Sequence, residues 1–405
     1  MNAPEPMLTR AARWLTFCSA ASILFSIAIS QIFLGAALVA LAASRGKPRM
    51  PRIQWLLALF ILGTLIAWFC SGDPLTHGWP QVRKCYVFAE WLVIFSCLRD
   101  AGTLRRLFAS WAGIGAATAL VGFAQFAGKV REAHEIGANF YQYYTVQRIT
   151  GFASHWNTYS SEEMFALIMT AAFLFFAPLG KRRWPWIACA ALTAAAVVLS
   201  DTRGVWIASA VAAVYLVFFW RRWLCALVPV ALVAAYLAAP APLKERANSI
   251  VHPTGVDSNE FRLIVWRAGV AMVEKHPWLG LGPDGPKFHM EEYVPPEVWR
   301  SRPAGFYQHV HNVYLQWAAD RGLPTALVML ILLIRIPIDF WRGLRALPPG
   351  RSLRRFLLHG AAAVVLAVMV EGFVEYNLGD SEVLAMFLVA TGCGYLALEG
   401  DLADA

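Results

Sequence analysis

Long apolar runs, separated by short groups of charged residues, extend through most of this 405-residue chain. Apolar residues make up 58% of the sequence and charged residues 15%, compared with about 25% charged residues in a typical soluble domain. The longer runs are long enough to cross a hydrocarbon core of about 30 Å as helices. The sequence therefore predicts an all-α, polytopic integral membrane protein.

Twelve candidate transmembrane helices can be placed on the chain. They cover residues 14–28, 30–43, 53–70, 80–98, 104–126, 157–178, 184–200, 204–220, 223–240, 311–341, 354–374 and 381–399. This arrangement predicts three parts: helices one to nine in 1–240, a loop at 241–310, and helices ten to twelve in 311–405. The first pair is divided around Ser30 because basic groups flank the region on both sides, and an even number of crossings places both groups in the cytoplasm.

The short basic groups also predict the orientation of the whole chain. Positive charge in short loops beside transmembrane segments favours the cytoplasmic side. Both termini are therefore expected in the cytoplasm, with 127–156 and the loop 241–310 on the opposite side. The net charge of +9 comes from these loop residues, which favours contact with membrane lipids over binding of a nucleic acid.

The loop 241–310 contains too many aromatic residues to be a disordered linker. Residues 259–276 have the apolar periodicity of a helix that begins at Ser258 or Asn259 and ends before Pro277. We expect this helix to lie flat on the membrane surface with its apolar face towards lipid.

Three arginines lie on the same predicted side of the membrane. Arg203 stands in the turn Ser200-Asp-Thr-Arg-Gly204, and Arg262 and Arg267 lie on the expected surface helix. Each one alone is compatible with an interfacial anchor or a solvated helix face. Together they would form a guanidinium cluster, and guanidinium groups bind phosphate oxygens in a bidentate manner.

A histidine pair, His309-Val-His311, precedes Asn312 at the beginning of the apolar stretch 311–341. A metal site is disfavoured because the loop offers no third ligand at a conventional spacing. The two remaining interpretations are an inert polar cap on the helix and a general base that accepts a proton from a hydroxyl group. A histidine base beside an arginine-bound phosphate leaving group would suit group transfer from a lipid diphosphate.

The spacing of these residues resembles a known family. His311-Asn312, followed by nine residues, Gly322, two residues and Thr325, is similar to the signature of bacterial O-antigen ligases. Other patterns that support the resemblance are Gly151-Phe-Ala-Ser-His-Trp-Asn157, Arg203-Gly204, Arg262-x-x-x-Trp266 and His276-Pro-Trp-Leu-Gly-Leu-Gly282.

This resemblance implies a glycosyltransferase of the integral-membrane, GT-C-like type that needs no metal or other cofactor. Such ligases move an O-antigen polysaccharide from undecaprenyl diphosphate to a sugar hydroxyl of the lipid A-core oligosaccharide, at the periplasmic face of the inner membrane of a Gram-negative cell. By the same resemblance, His311 is the expected base, and His309 and Asn312 orient it or the acceptor. Arg203 and Arg262 are the expected diphosphate ligands, with Arg267 as the alternative to Arg262.

Two other kinds of function stay open at this point. O-antigen polymerases and protein O-oligosaccharyltransferases are similar in the same region and use the same lipid donor. A transporter or flippase would instead place ionisable residues at mid-membrane depth, and Glu90, Glu163 and Glu371 are the candidates for such a pathway.

Overall fold

The computed structural model of the chain describes residues 6–72, 74–178, 180, 183–251, 258–300, 308–399 and 402. These residues form helices and connecting turns, without a β-strand among them. The α-helices, numbered α1 to α18, are Met7–Ser22, Ile27–Ala43, Gln54–Phe69, Trp79–Val82, Ala89–Cys97, Ala101–Glu135, Phe140–Val146, Trp156–Phe176, Trp184–Leu199, Arg203–Arg221, Val228–Ala238, Ala241–Val251, Ser258–Lys275, Gly285–His289, Pro296–Arg300, Val313–Ala346, Leu353–Glu371 and Ser381–Leu398.

Six helical segments among the described residues are long and apolar enough to cross a membrane. They are Ala101–Glu135, Trp156–Phe176, Arg203–Ala238, Val313–Ala346, Leu353–Glu371 and Ser381–Leu398. Three shorter apolar helices, Ile27–Ala43, Gln54–Phe69 and Trp184–Leu199, have fewer residues than a full crossing needs. The all-helical class agrees with the prediction of a polytopic membrane protein, whereas the total of twelve spans is not confirmed.

Two of the predicted spans differ from the helices observed. The first pair is divided at residues 23–26, before the place predicted at Ser30, and Ser26 caps α2 by accepting a hydrogen bond from the backbone N–H of Ile29 (3.5 Å). The predicted span 80–98 is composed of several short helical pieces, with a 3₁₀ turn over Arg83–Phe88 before α5. Hydropathy alone does not report such breaks, because local capping and backbone geometry determine them.

The segment Arg203–Ala238 consists of two helices, α10 and α11, and the chain reverses direction after Arg221. Arg221 has φ −153° and ψ 88°, outside the helical region, and a 3₁₀ turn follows it. Arg203 at the start of α10 contacts Ser249 in α12, which follows α11 in the chain. Both ends of the segment therefore lie together, although by length and composition alone the segment counts as one candidate span. The separate spans at 204–220 and 223–240 stay a prediction.

The centre of the protein is formed by α17 and α18, which pack on each other and on α8 and α16. Every residue of 383–397 in α18 is buried. A helix that is apolar around its whole circumference is typical of such a central position. The connection 372–380 between these two helices is consequently held in place by the most densely packed part of the chain.

The surface helix predicted at 259–276 is present as α13, but its apolar face contacts protein. Val265, Ala268 and Met272 are buried in a cluster that includes Val310 and Ala319, at the beginning of α16. The expectation that this face lies against lipid is therefore wrong. The periodicity indicated an apolar face correctly, but periodicity does not distinguish lipid from a neighbouring helix.

The close approach of α16 to the segment 276–282 explains one glycine of each sequence pattern, Gly322 on α16 and Gly280 opposite Ala319. Gly322 has φ 78° and ψ 164°, a backbone conformation that essentially only glycine adopts, and it kinks α16. A Cβ atom at Gly322 would overlap the carbonyl of Trp278. Two backbone hydrogen bonds hold the segments together, Leu281 N–H to Ala319 O and Leu323 N–H to Pro277 O, each 2.8 Å.

We predict that Gly322→Ala destabilises the protein by at least about 1–3 kcal/mol, the cost of one strained backbone conformation, with the steric overlap in addition. Thermal unfolding of the purified protein in detergent measures the effect. The matched control is Gly113→Ala in α6, where an added Cβ meets nothing within 4 Å. Equal melting temperatures for the two variants would contradict this role of Gly322.

Candidate active site

The histidine pair lies in a tight turn that is fixed by the beginning of α16. Asn312 caps the helix, since its Oδ1 accepts a hydrogen bond from the backbone N–H of Leu315 (2.9 Å). Its Nδ2 donates to the carbonyl of Phe373 (3.0 Å). His311 has φ 51°, in the left-handed region. Non-glycine residues seldom adopt this conformation, and it is concentrated at functional sites.

Glu375 joins the two histidines. Its Oε1 lies 3.1 Å from Nε2 of His309 and 3.0 Å from Nδ1 of His311. Asn157 donates to the other carboxylate oxygen (2.8 Å), and the backbone N–H of Tyr376 donates to Oε1 (3.0 Å). The carboxylate is thus almost fully enclosed and surrounded by hydrogen-bond donors, as a buried charge requires.

The α17–α18 connection brings Glu375 to this position. The backbone N–H of Val313 donates to the carbonyl of Gly372 (2.8 Å), and the hydroxyl of Tyr314 donates to the carbonyl of Met369 (2.7 Å). A side chain at Gly372 would collide with Val313. The beginning of α16 is therefore pressed against the end of α17, and the histidines meet Glu375 across this contact.

The contact with Glu375 fixes the chemistry of His311. Burial would raise the pKa of Glu375, but the positive charge of His311 and hydrogen bonds from His309 and His311 hold that pKa well below its usual range. Glu375 is thus a carboxylate that accepts hydrogen bonds. When Nδ1–H of His311 donates to it, Nε2 of the neutral ring becomes the proton acceptor. The arrangement resembles the carboxylate–histidine pair that orients a general base.

Arginines converge on Asp201, next to the predicted ligand Arg203. Nε of Arg246 lies 3.2 Å from Oδ2 of Asp201, and its guanidinium donates twice to the Asp201 carbonyl. Nε of Arg148 lies 3.8 Å from the same carboxylate oxygen. Arg203 donates to the carbonyl (2.8 Å) and the hydroxyl (2.7 Å) of Ser249. Asp201 and all three arginines are buried or nearly so.

The structure distinguishes between the two arginines of α13. Arg262 is half-buried and Arg267 is exposed, because five residues turn a helix by about 140° from one face towards the other. Phe261, the neighbour of Arg262, packs edge-on against His311 with 5.8 Å between the ring centroids. The geometry favours Arg262 over Arg267 as the arginine that faces the site.

Electrostatic interactions connect the arginines with the histidines. Burial, followed by the positive charge of Arg246, lowers the pKa of Arg148, and Arg262 acts in the same direction. A guanidinium remains protonated even so, so an anion bound here would relieve the repulsion. Burial also lowers the pKa of His155, which interacts in addition with Glu375 and Arg148. The adjacent residues Trp156 and Asn157 contact both groups: the guanidinium of Arg148 lies 5.3 Å from the centroid of the Trp156 ring, and Asn157 donates to Glu375.

An apolar cavity of about 280 Å³ opens beside this arginine cluster. Its lining includes the aromatic rings of Phe126, Phe140 and Tyr144, and Asp201. Tyr141 also lines the cavity, and its buried hydroxyl has no hydrogen-bond partner in the described part of the chain. An amphiphilic ligand with an anionic head and an apolar chain fits such a neighbourhood.

Sequence reasoning missed Glu375, Arg148 and Arg246. Their signals were present but weak: Glu375 directly follows the predicted span 354–374, and Arg148 lies in the predicted far-side segment 127–156. Only the fold shows that Glu375 meets the histidine turn and that Arg148 and Arg246 meet Asp201. Asn312, predicted as a substrate-binding neighbour, has its amide committed to the helix cap and to Phe373, and its contact with the acceptor stays a prediction.

The three buried glutamates considered for a transport pathway are each bonded to a hydroxyl on a neighbouring helix. The pairs are Ser19 with Glu90, Thr118 with Glu163 and Ser161 with Glu371. Such bonds offset part of the cost of burying a carboxyl group in an apolar interior, although Oε2 of Glu90 and Oε2 of Glu163 have no hydrogen-bond partner among the described residues. They belong to three different helix pairs, which favours a role in packing.

The histidine turn does have a third potential metal ligand, contrary to the expectation from spacing. His309, His311 and Glu375 each offer an atom, and these atoms lie within 4.8 Å of one another. The carboxylate comes from 64 residues further along the chain than His311. Spacing patterns within one loop therefore did not reveal it.

Comparison with known families adds an independent observation. Residues 187–331 match the family model described as O-antigen ligase, whereas no curated protein matches the chain. The matched region contains Arg203, Arg262 and His311 and ends before Glu375. Over residues 187–331, the family match confirms the resemblance inferred from the sequence motifs, and this part of the chain is similar to the O-antigen ligase family.

Proposed function

We propose that this protein is an O-antigen ligase of the Gram-negative inner membrane. It transfers an O-antigen polysaccharide from undecaprenyl diphosphate to a sugar hydroxyl of lipid A-core, by direct displacement without a metal ion. The observation that carries the proposal is the Glu375–His311 pair near a buried arginine cluster: Asn157 donates to Glu375, and the guanidinium of Arg148 lies over the ring of the adjacent Trp156. The family match supports glycosyl transfer of the ligase or polymerase type in general.

His311 activates the acceptor in this mechanism. Nε2 takes the proton of the sugar hydroxyl while that oxygen attacks the anomeric carbon of the donor. The bond from this carbon to the diphosphate oxygen breaks, and the leaving group departs with the electron pair. Glu375 holds the ring in the required tautomer and stabilises the imidazolium that forms.

The arginines stabilise the departing diphosphate. Negative charge grows on the leaving oxygen during bond cleavage, and cations already in position lower the barrier to this step. Arg203 and Arg262 are the assigned ligands, and Arg148 and Arg246 extend the positive region around Asp201. The apolar cavity beside Asp201 is suited to the first part of the prenyl chain.

The positions of arginines at the helix ends favour the predicted orientation of the protein in the membrane. Asn312 begins α16 at the site, while Arg342 and Arg345 lie near the opposite end of this helix. Arg203 and Arg221 are similarly at opposite ends of α10. With the basic ends in the cytoplasm, both termini are cytoplasmic, the loop 241–310 is periplasmic, and the site faces the periplasm.

Fusions to a reporter that is active only in the periplasm test this orientation. A fusion after residue 285 should be active, and a fusion after residue 348, between α16 and α17, should be inactive. Fusions at the same two positions to a second reporter, which is active only in the cytoplasm, should give the reverse pattern. Periplasmic activity at residue 348 would place the basic helix ends outside and contradict the proposed topology.

The function itself is tested by transfer of a labelled polysaccharide from its undecaprenyl diphosphate to purified lipid A-core, in EDTA. His311→Ala should abolish product while donor binding persists, because the arginines hold the diphosphate. Glu375→Gln should lower the rate by on the order of 10²-fold or more, since the amide no longer enforces the tautomer. Both variants must remain folded in detergent.

Two results of this assay would refute the proposal. Longer lipid-linked chains without product on lipid A-core would identify a polymerase. Robust ligation by His311→Ala would remove the assigned base, and the histidine turn would then be a structural cap.

The arginine assignment predicts that charge alone is insufficient. Arg203→Lys and Arg262→Lys should each impair transfer, because a point charge does not reproduce the bidentate guanidinium. The alanine variants should lose on the order of 10²-fold or more in rate. Arg267→Lys is the matched comparison on the exposed face of α13 and should retain near-normal transfer. If Arg267→Lys impaired transfer and Arg262→Lys did not, Arg267 would be the ligand.

A further inference from the structure

We propose that His309, His311 and Glu375 form an inhibitory site for a zinc-class divalent cation, which switches off the base when it binds. The metal site itself stands on geometry alone. The inhibition rests on the proposed function of His311 as the base.

The carboxylate oxygen lies near the ligand spacing of a metal site from each histidine nitrogen, and all three atoms lie within 4.8 Å of one another. Tetrahedral zinc with bonds of about 2.0–2.1 Å holds its ligand atoms about 3.3 Å apart. Oε1 of Glu375 lies 3.1 Å from Nε2 of His309 and 3.0 Å from Nδ1 of His311. Small ring rotations would open these distances to the required values. Two imidazoles and one carboxylate leave the fourth position to water, as in open zinc sites.

A cation has access to this site, and the ligands have support around them. The side chain of His309 is 33% exposed, whereas that of Glu375 is only 12% exposed. Asn157 holds the second oxygen of Glu375 (2.8 Å), the kind of outer contact that orients a metal-binding carboxylate. The site is therefore open on the histidine side and rigid on the carboxylate side.

The two imidazole ligands determine which metal ions the site prefers. Arg148 lies over the ring of Trp156, next to the Asn157 that contacts Glu375, so a cation entering the site approaches a positive charge. Mg²⁺ and Ca²⁺ are bound mainly by several oxygens and gain little from imidazole. Zn²⁺, and Co²⁺ as its spectroscopic substitute, gain most from nitrogen ligands. The site thus favours these metals over the abundant alkaline-earth ions.

Metal binding would prevent His311 from accepting a proton, because it changes the tautomer of the ring. A metal on Nδ1 displaces the proton that Glu375 accepts, and the neutral ring then carries its proton on Nε2. That nitrogen is the one assigned to accept the proton of the acceptor hydroxyl. The arginines are untouched, so donor binding should persist while transfer stops.

The first experiment measures binding without any substrate. Co²⁺ added to the purified, metal-free protein should give visible d–d absorption typical of nitrogen and oxygen ligands, without a sulfur charge-transfer band from cysteine, and Zn²⁺ should abolish it. His309→Gln and Glu375→Gln should each weaken Co²⁺ binding by roughly tenfold or more. The control is His289→Gln, which removes a separate histidine–carboxylate pair, His289 with Glu292 (2.7 Å), and should leave the spectrum unchanged.

The second experiment measures transfer. Zn²⁺ should lower the rate of the intact protein, EDTA should restore it, and binding of the lipid diphosphate should be unaffected. His289→Gln should respond to Zn²⁺ as the natural sequence does. A Co²⁺ spectrum that is absent, or equally strong in His309→Gln, overturns the site. Stimulation by Zn²⁺, or full activity with zinc bound, overturns the inhibition. Transfer in EDTA reports the proposed function separately, since it needs no occupied site.

Discussion

The contact between the end of α17 and the beginning of α16 determines the geometry of the whole candidate site. Two segments that are 64 residues apart meet there, and backbone hydrogen bonds, the amide of Asn312 and the small volume of Gly372 hold them together. Glu375 reaches the histidines only because of this contact. Since α17 and α18 form the buried centre of the protein, the site inherits the rigidity of the most closely packed helices. In the proposed mechanism, this support would hold His311 in one orientation.

The arginine cluster differs from the histidine site, which is held by close packing and hydrogen bonds. It brings like charges together where little water is present. Asp201 partly compensates Arg148 and Arg246, and burial together with mutual repulsion leaves a region that is more stable when an anion is present. In the proposed function, a rigid base and a cluster of buried like charges suit different tasks, one for proton transfer and the other for binding of a phosphate group. Their separation would allow the donor to bind before the acceptor is activated.

The sequence was sufficient for the all-helical class of the fold and for the existence of the helix α13. It was insufficient where the outcome depends on which helices touch. Periodicity identified the apolar face of α13 but assigned it to lipid, and the face packs on α16. Spacing within one loop gave no third ligand for the histidines, because Glu375 is supplied by a distant segment. The position of Gly322 was readable as a motif, whereas its reason, the carbonyl of Trp278 lying against it, is a tertiary contact.

The left-handed backbone of His311 has a practical consequence for studies of substrate complexes. Alanine at this position removes the ring and also leaves an unfavourable backbone conformation, so the turn is free to relax and carry His309 with it. Asparagine tolerates the same φ value well and has no group that accepts a proton at neutral pH. His311→Asn would therefore retain the turn while removing the chemistry. That variant is the one suited to trapping donor and acceptor together for structure determination.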